Sequence, residues 1–257
     1  MKVVIFAGGR GTRLAEETQI RPKPMVQIGG FPIIWHIMKI YSHYGFNDFV
    51  ICLGYLGNSI KEYFINYRMH CSDITIDLSR NEVQYQSDRS EPWRITLVDT
   101  GIDSSTAERL HRVRAHIGTE TFLLTYGDGV GDVDVHQLVA AHRAGGRQAT
   151  MTIVRPPARF GSTIVEEDRV VSFLEKPQAH EGLINGGFFV LEPSVIDFID
   201  PDATGWEYQP LQRIVEAGQL TAYIHTGFWH AMDTVRDKIH LEQLWHTGTA
   251  PWKVWEG

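Results

Sequence analysis

Cysteine is almost missing from this chain. Cys52 and Cys71 are the only two in 257 residues, too few and too far apart for a disulfide framework, a thiolate cluster or a redox pair. Both are expected to be buried thiols in a reducing compartment. Long apolar runs are lacking as well. The opening Val3-Val4-Ile5-Phe6-Ala7 stops at Gly8-Gly9, shorter than a secretory core, and nothing approaches the ~20 apolar residues that cross a bilayer, so the expected location is cytoplasmic. Positive charge is not in excess either: 24 Lys and Arg stand against 31 Asp and Glu, for a net −7. That balance offers no footing for a polyphosphate duplex, and neither nucleic acid nor membrane is an expected partner. Repeats, low-complexity tracts and Pro/Ser-rich linkers are also missing. What remains, 43% hydrophobic and 21% charged residues, is the balance of a folded globular chain long enough to bury a core without staples.

Glycine marks the organisation. The run Val3–Ala7 meets Gly8-Gly9, as a buried parallel strand does when it delivers backbone to a ligand loop. From Pro32, residues Ile34, Ile37, Met38 and Tyr41 fall at helical spacing and stop before Gly45. Phe49 to Leu53 closes at Gly54, and Ile60, Tyr63, Phe64 and Tyr67 then repeat helically. Phe122 to Leu124 runs into Gly127-Asp128-Gly129, followed by Val135, Leu138, Val139 and His142 on one helical face before Gly145-Gly146. Alternation between Ile74 and Asp99 predicts further strands, as do 150–154, 162–165, 170–174 and 187–191. Leu211, Ile214 and Val215 are expected on one face of a helix, and 234–245 forms the last one. The order is that of an α/β fold, Rossmann-like, with a mostly parallel mixed sheet flanked by helices and a strand-rich C-terminal elaboration. One domain over 1–257 is expected. The tail 250–257 carries Trp252 and Trp255, and two exposed indoles are costly, so it is expected to dock, by preference on a neighbouring subunit.

Gly8-Gly9-Arg10-Gly11-Thr12-Arg13, directly after the first strand, is the most informative segment. Three glycines let backbone N–H groups approach phosphate oxygens, and Arg13 supplies neutralising charge. Two commoner phosphate loops do not fit. A Walker A loop beginning at Gly8 needs Gly-Lys where Arg13-Leu14 stand, and a dinucleotide fingerprint beginning at Gly9 needs a small residue at Leu14. Arg21-Pro22-Lys23-Pro24 fixes φ on both sides of a lysine, holding a cation on a stiff arm, as phosphoryl chemistry requires. Asp128 follows a strand into a glycine turn, a suitable place for a Mg²⁺ carboxylate. The twelve histidines include no pair three or four residues apart, so no helical metal site is assigned to them. No Gly-x-Ser-x-Gly elbow is present.

Those segments, with Lys23-Pro24-Met25, Ile28-Gly29-Gly30, Pro32 to Lys39, Tyr126 to Val130, Phe173 to Pro177, Ile184 to Phe189, Phe228-Trp229 and Met232-Asp233-Thr234, resemble the sugar-nucleotide pyrophosphorylases of the nucleotidyltransferase family, most specifically their cytidylyl branch. The resemblance covers essentially the whole chain. It implies that CTP and α-D-glucose 1-phosphate react to CDP-glucose and pyrophosphate with Mg²⁺ as cofactor, in the cytoplasm, in a homohexamer serving deoxysugars of surface polysaccharide such as lipopolysaccharide O-antigen. It places the nucleotide on Ala7, Gly8, Gly9, Arg10, Gly11, Thr12, Arg13, Lys23, Ser104, Thr106, Arg109, Gly127 and Asp128. The sugar phosphate falls to Tyr126, Glu175, Lys176, Asn185 and Gly186, and the metal to Asp128 and Asp233. Arg13, Lys23 and Asp128 are the implied catalytic residues. Residues 1–145 would form the nucleotide half, and 146–257 the sugar-phosphate and oligomerisation half.

Three points stay open in the residues themselves. Asp233 could instead cap the helix beginning near Thr234. The family's usual Thr-Gly-Gly-Arg is Thr106-Ala107-Glu108-Arg109 here, which puts an acid near the triphosphate path unless Glu108 turns outward from a helix's first turn. Asp132-Val133-Asp134 has the Asp-x-Asp spacing of a metal-dependent glycosyltransferase, although a capped helix start explains it as well. Another nucleotide or sugar phosphate, a glycosyltransferase, or a non-catalytic nucleotide-sugar sensor are the rival functions.

Overall fold

The computed structural model describes residues 1–87, 89–156, 162–166, 169–174, 182–200 and 202–256. Seven apolar runs pair into a central sheet: β1 (Val3–Phe6), β2 (Asp48–Leu53), β3 (Arg94–Asp99), β4 (Phe122–Tyr126), β5 (Ala149–Val154), β6 (Ile184–Leu191) and β7 (Leu220–Ile224). Their spatial order is β7-β5-β6-β4-β1-β2-β3. β1 lies parallel to β2 and β4, β2 to β3, and β5 to β7. β6 runs antiparallel to both of its neighbours, so the sheet is mostly parallel and mixed.

Helices of seven to twelve residues flank it among the described residues: α1 (Ile33–His43), α2 (Gly57–Ile65), α3 (Thr106–Arg112), α4 (Val135–Gly145), α5 (Gln209–Glu216) and α6 (Val235–His246). Strand periodicity sorts the core into two faces. Val3, Ile5, Phe49, Ile51 and Leu123 turn toward Ile34, Ile37 and Met38 of α1, Leu138 of α4 and Leu241 of α6. Val4, Phe6, Val50, Cys52 and Leu124 turn the other way, toward Leu110 of α3 and Ile214 of α5. Cover on both faces is why β1 reads as an unbroken apolar run, since every position in it is buried.

Four expectations need correction. The helix expected through Tyr67 breaks at Asn66, whose side-chain amide donates to the Glu62 carbonyl at 2.9 Å and competes with the backbone ladder. Cys52 is buried, which pushes its thiol up to about 12, but Cys71 is half-buried, at the end of the short helix Tyr67–Cys71, none of whose residues is buried. Val215 is exposed, whereas Pro210 and Ile214 of α5 are buried and Leu211 packs partly buried against the same core. The tail packs on its own chain: Trp252 is fully buried and Trp255 nearly so. An aromatic face waits for it on α1, where Trp35 meets Trp255 edge-on at 5.7 Å and His36 meets Trp245 at 4.7 Å. Trp252 Nε1 donates to His36 Nδ1 at 3.3 Å, and His36 Nε2 lies 2.9 Å from the Ile28 carbonyl. Burial lowers the His36 pKa to about 4, so the ring is neutral.

Candidate phosphate and metal site

The C-terminal ends of β1 and β4 are register partners at Phe6 and Tyr126, and both strands release glycine-bearing loops on that side. The Gly127 N–H donates to the Phe6 carbonyl at 2.9 Å, which ties the two loops together. Between them lies a cavity of about 350 Å³, within the size range of small-molecule sites. Of the residues singled out in the sequence, Ala7, Gly9, Gly11, Thr12, Arg13, Lys23, Thr106, Tyr126, Gly127, Asp128 and Asp233 line it, together with Phe6 and Pro24. Segments more than two hundred residues apart therefore converge at the strand ends, where open parallel sheets bind ligands.

Its electrostatic centre is Lys23. The two flanking prolines allow a single 3₁₀ turn, Lys23–Met25, with the Met25 N–H bonded to the Pro22 carbonyl at 2.8 Å. From that turn Lys23 Nζ donates to Asp128 Oδ2 at 2.6 Å and to Asp233 Oδ1 at 2.7 Å. Burial pulls the ammonium toward neutrality, but the two carboxylates outweigh it and its pKa is raised. Arg13 extends into solvent and its Nη1 lies 3.5 Å from Asp233 Oδ2.

Local capping settles the points left open in the sequence. The N-cap of α6 is Thr234, which forms a capping box with Asp237. The Asp233 and Thr234 N–H groups both donate to Asp237 Oδ2, at 3.0 and 2.8 Å, so Asp233 is not needed as a cap and its carboxylate faces Lys23. Asp134 caps α4 through the Gln137 N–H at 2.9 Å, while Asp132 lies 2.9 Å from His225. The Asp-x-Asp spacing is thus a capped helix start. Glu108 is the third residue of α3, and its carboxylate takes the Ser105 N–H at 2.7 Å in a second capping box. Ala107 is buried. The replacement of two glycines therefore adds no negative charge to the cavity.

Other singled-out residues lie outside the lining. Arg10 pairs with Asp103 at 2.7 Å. Ser104 donates to the Thr100 carbonyl. Gly8 and Arg109 lie beneath the loop, with the guanidinium on the Gly8 carbonyl at 3.0 Å. Asn185 touches the site indirectly, donating to the Tyr126 hydroxyl at 3.2 Å, and the Gly186 carbonyl accepts from Trp229 Nε1 at 2.7 Å. Glu175 and Lys176 lie outside the described residues. Glu207 was not legible in the sequence: it accepts from Thr106 Oγ1 at 2.8 Å and hydrogen-bonds Tyr126, whose pKa is raised by burial and then by that carboxylate. It belongs to no motif, and no sequence signal marks it.

The donor set suits a divalent cation. Asp128 and Asp233 already converge on one cationic centre, and among the described residues no group of three or more His, Cys, Asp or Glu side chains could hold a metal alone. The remaining ligands would be substrate oxygens and water, the pattern Mg²⁺ prefers.

Residues 2–243 match the nucleotidyl transferase family. The chain is 55% identical over 257 residues to the glucose-1-phosphate cytidylyltransferase of Salmonella typhi, covering all of both chains. It is 44% identical over 256 residues to a probable glucose-1-phosphate cytidylyltransferase of Bacillus subtilis, covering 99% of this chain and all of that one. Among solved structures, a putative glucose-1-phosphate thymidylyltransferase from Bacillus anthracis superposes with a TM-score of 0.71 at 19% identity, covering 100% of this chain and 97% of that one. That likeness concerns the fold.

Proposed function

The chain belongs to the nucleotidyl transferase family, and on that premise we propose that it joins CTP to α-D-glucose 1-phosphate, forming CDP-glucose and releasing pyrophosphate. The observation that carries the reading is the Lys23 ammonium held between Asp128 and Asp233 at the mouth of the glycine loop. The two cytidylyltransferase relatives supply the base and the sugar.

The glycine loop, with Ala7, Gly9, Gly11 and Thr12, receives the triphosphate through backbone N–H groups. Ser104, Thr106 and Gly127 complete the nucleotide side, together with Gly8, Arg10 and Arg109. A sugar-phosphate oxygen attacks the α-phosphorus in line, forming the new P–O bond as the bond to the β-phosphate bridging oxygen breaks. No general base is needed, because a phosphate monoester with a second pKa of about 6 arrives largely dianionic. Lys23 opposes charge growing around the α-phosphorus, and Arg13 neutralises the departing pyrophosphate. Asp128 and Asp233 would hold Mg²⁺, which when bound screens the phosphate charge. Tyr126, Glu175, Lys176, Asn185 and Gly186 take the sugar phosphate. The nucleotide half is then about 1–145 and the sugar-phosphate half about 146–257. A cytoplasmic homohexamer supplying CDP-glucose for surface deoxysugars completes the reading.

The test is a matrix of CTP, UTP, dTTP, ATP and GTP against several sugar 1-phosphates with Mg²⁺, scored by pyrophosphate release. The CTP and glucose 1-phosphate pair should give the highest kcat/KM. A preference for UTP or dTTP moves the chain to another branch, and sugar transfer without pyrophosphate release makes it a glycosyltransferase.

A further inference from the structure

Glu207 takes no part in the metal pair, yet it bonds to two residues that line the cavity, Thr106 and Tyr126. The segment that carries it is stitched to the start of α3. Ser105 Oγ donates to the Ala203 carbonyl at 2.8 Å, the Trp206 N–H donates to Thr106 Oγ1 at 2.8 Å, and Thr106 Oγ1 donates in turn to Glu207 Oε2 at 2.8 Å. Trp206 is fully buried and lies edge-on to Phe189 at 6.0 Å. The carboxylate is thus fixed from both sides before any ligand arrives.

Tyr126 is seated as firmly. Its ring lies 5.9 Å from that of Phe6 and 6.3 Å from that of Phe189. A Cβ on Gly187 would stand 2.6 Å from its Cδ2, so the ring uses space that only glycine leaves. The hydrogen bonds named at its hydroxyl have assigned directions. A carboxylate has no proton to give, so Tyr126 donates to Glu207. The Gly187 N–H donates to Asn185 Oδ1 at 2.8 Å, which fixes that amide, and Asn185 Nδ2 donates to the Tyr126 oxygen at 3.2 Å. A hydroxyl has one proton and two lone pairs. With the proton and one lone pair engaged, what remains is an acceptor. The oxygens of a phosphate dianion have no proton to offer it, whereas a sugar hydroxyl does.

We propose that Glu207 is a positioning residue for substrate selection: it holds the Tyr126 proton, so that the phenol oxygen accepts a hydrogen bond from a hydroxyl of the sugar and does not bind its phosphate. This rests on the sugar-phosphate reading of Tyr126. Selectivity follows from the same polarity. A site built around a fixed acceptor rejects a substrate that lacks the matching donor, because its lone pair is then left unpaired in a desolvated place.

The experiment compares wild type with Tyr126→Phe and Glu207→Gln on glucose 1-phosphate and on its monodeoxy and monodeoxyfluoro analogues, with melts to record stability. The amide in Glu207→Gln offers one acceptor where two hydroxyls now donate. At one ring position the deoxy analogue should lose about tenfold in kcat/KM with wild type, and the deoxyfluoro analogue as much, since fluorine donates nothing. Tyr126→Phe should use glucose 1-phosphate and that deoxy analogue equally. Glu207→Gln should raise the KM for glucose 1-phosphate about fivefold and shrink the same discrimination, with the KM for CTP within about twofold of wild type in both variants. A lowered Tm in Glu207→Gln with the wild-type discrimination intact would make Glu207 merely structural and overturn the proposal. So would an equal KM rise for both substrates, a Tyr126→Phe variant that still discriminates at every position, or a deoxyfluoro analogue at that position used as well as glucose 1-phosphate. Should Glu207→Gln not fold, the wild-type deoxyfluoro comparison and Tyr126→Phe decide by the same criteria. A wild type that releases no pyrophosphate with any sugar phosphate is a different outcome, which removes the functional reading itself.

Discussion

Lys23 is the residue on which the chemistry turns, because its ammonium is the point where the arms bearing Asp128 and Asp233 meet. Lys23→Ala or Asp128→Asn should lower kcat by about three orders of magnitude, as losses of transition-state charge stabilisation do, with the far-ultraviolet circular dichroism of wild type. Turnover within a few-fold of wild type in either variant contradicts these roles. His36 makes a second claim at this scale. Its folded pKa of about 4 lies below the ordinary value of 6.5 because the ring is buried, so the unfolded chain takes up the proton first as pH falls. The stability attached to the neutral ring is therefore full above about pH 6.5 and is lost on the way down to about 4, a change on the order of 3 kcal/mol. Urea melts from pH 7.5 to 4.5 should show that loss, and His36→Gln should flatten it; parallel curves for the two proteins would remove the argument. The sequence made Lys23 legible through its prolines and Asp128 through its glycines. It did not reveal where Arg109 points, since a Thr-x-x-Arg spacing is the same whether the guanidinium lines a cavity or supports one from below.

Elements that end in glycine are legible in the sequence, because a buried parallel strand and the loop after it leave two coincident signals. β1, β2 and β4 all have them. Elements lacking either signal are not legible: Gly129–Gly131 and Trp229–Ala231 form a three-residue ladder too short for any periodicity, and β7 is a half-exposed edge strand. The start of α6 matters most among the elements, since its capping box holds the backbone on which Asp233 rides. Thr234→Ala should cost about 1 kcal/mol in urea melts, the usual worth of such a cap, and should lower kcat because Asp233 loses its fixed direction. Wild-type kcat with the stability loss in place would show that Asp233 is positioned by something other than this cap.

For the molecule as a whole, the sheet brings the strand-end loops together and the tail closes over the aromatic face of α1. Composition could state that the tryptophans must be covered, but not by what; the answer lay in Trp35, His36 and Trp245, scattered through the chain and assembled only by folding. Trp252→Ala should destabilise the fold by about 4 kcal/mol, the cost of truncating a fully buried aromatic side chain, read as a lowered urea midpoint. An unchanged midpoint would return the tail to a role between subunits. The central claim is that the loop after β1 grips a triphosphate, and a calorimetric titration of CTP with Mg²⁺ in the absence of any sugar phosphate tests it most directly. The account predicts saturable binding at one site per chain, with a Kd between about 1 μM and 1 mM as for ordinary enzyme substrates, weakened in Lys23→Ala. A wild-type protein that takes up no CTP in that range would contradict it.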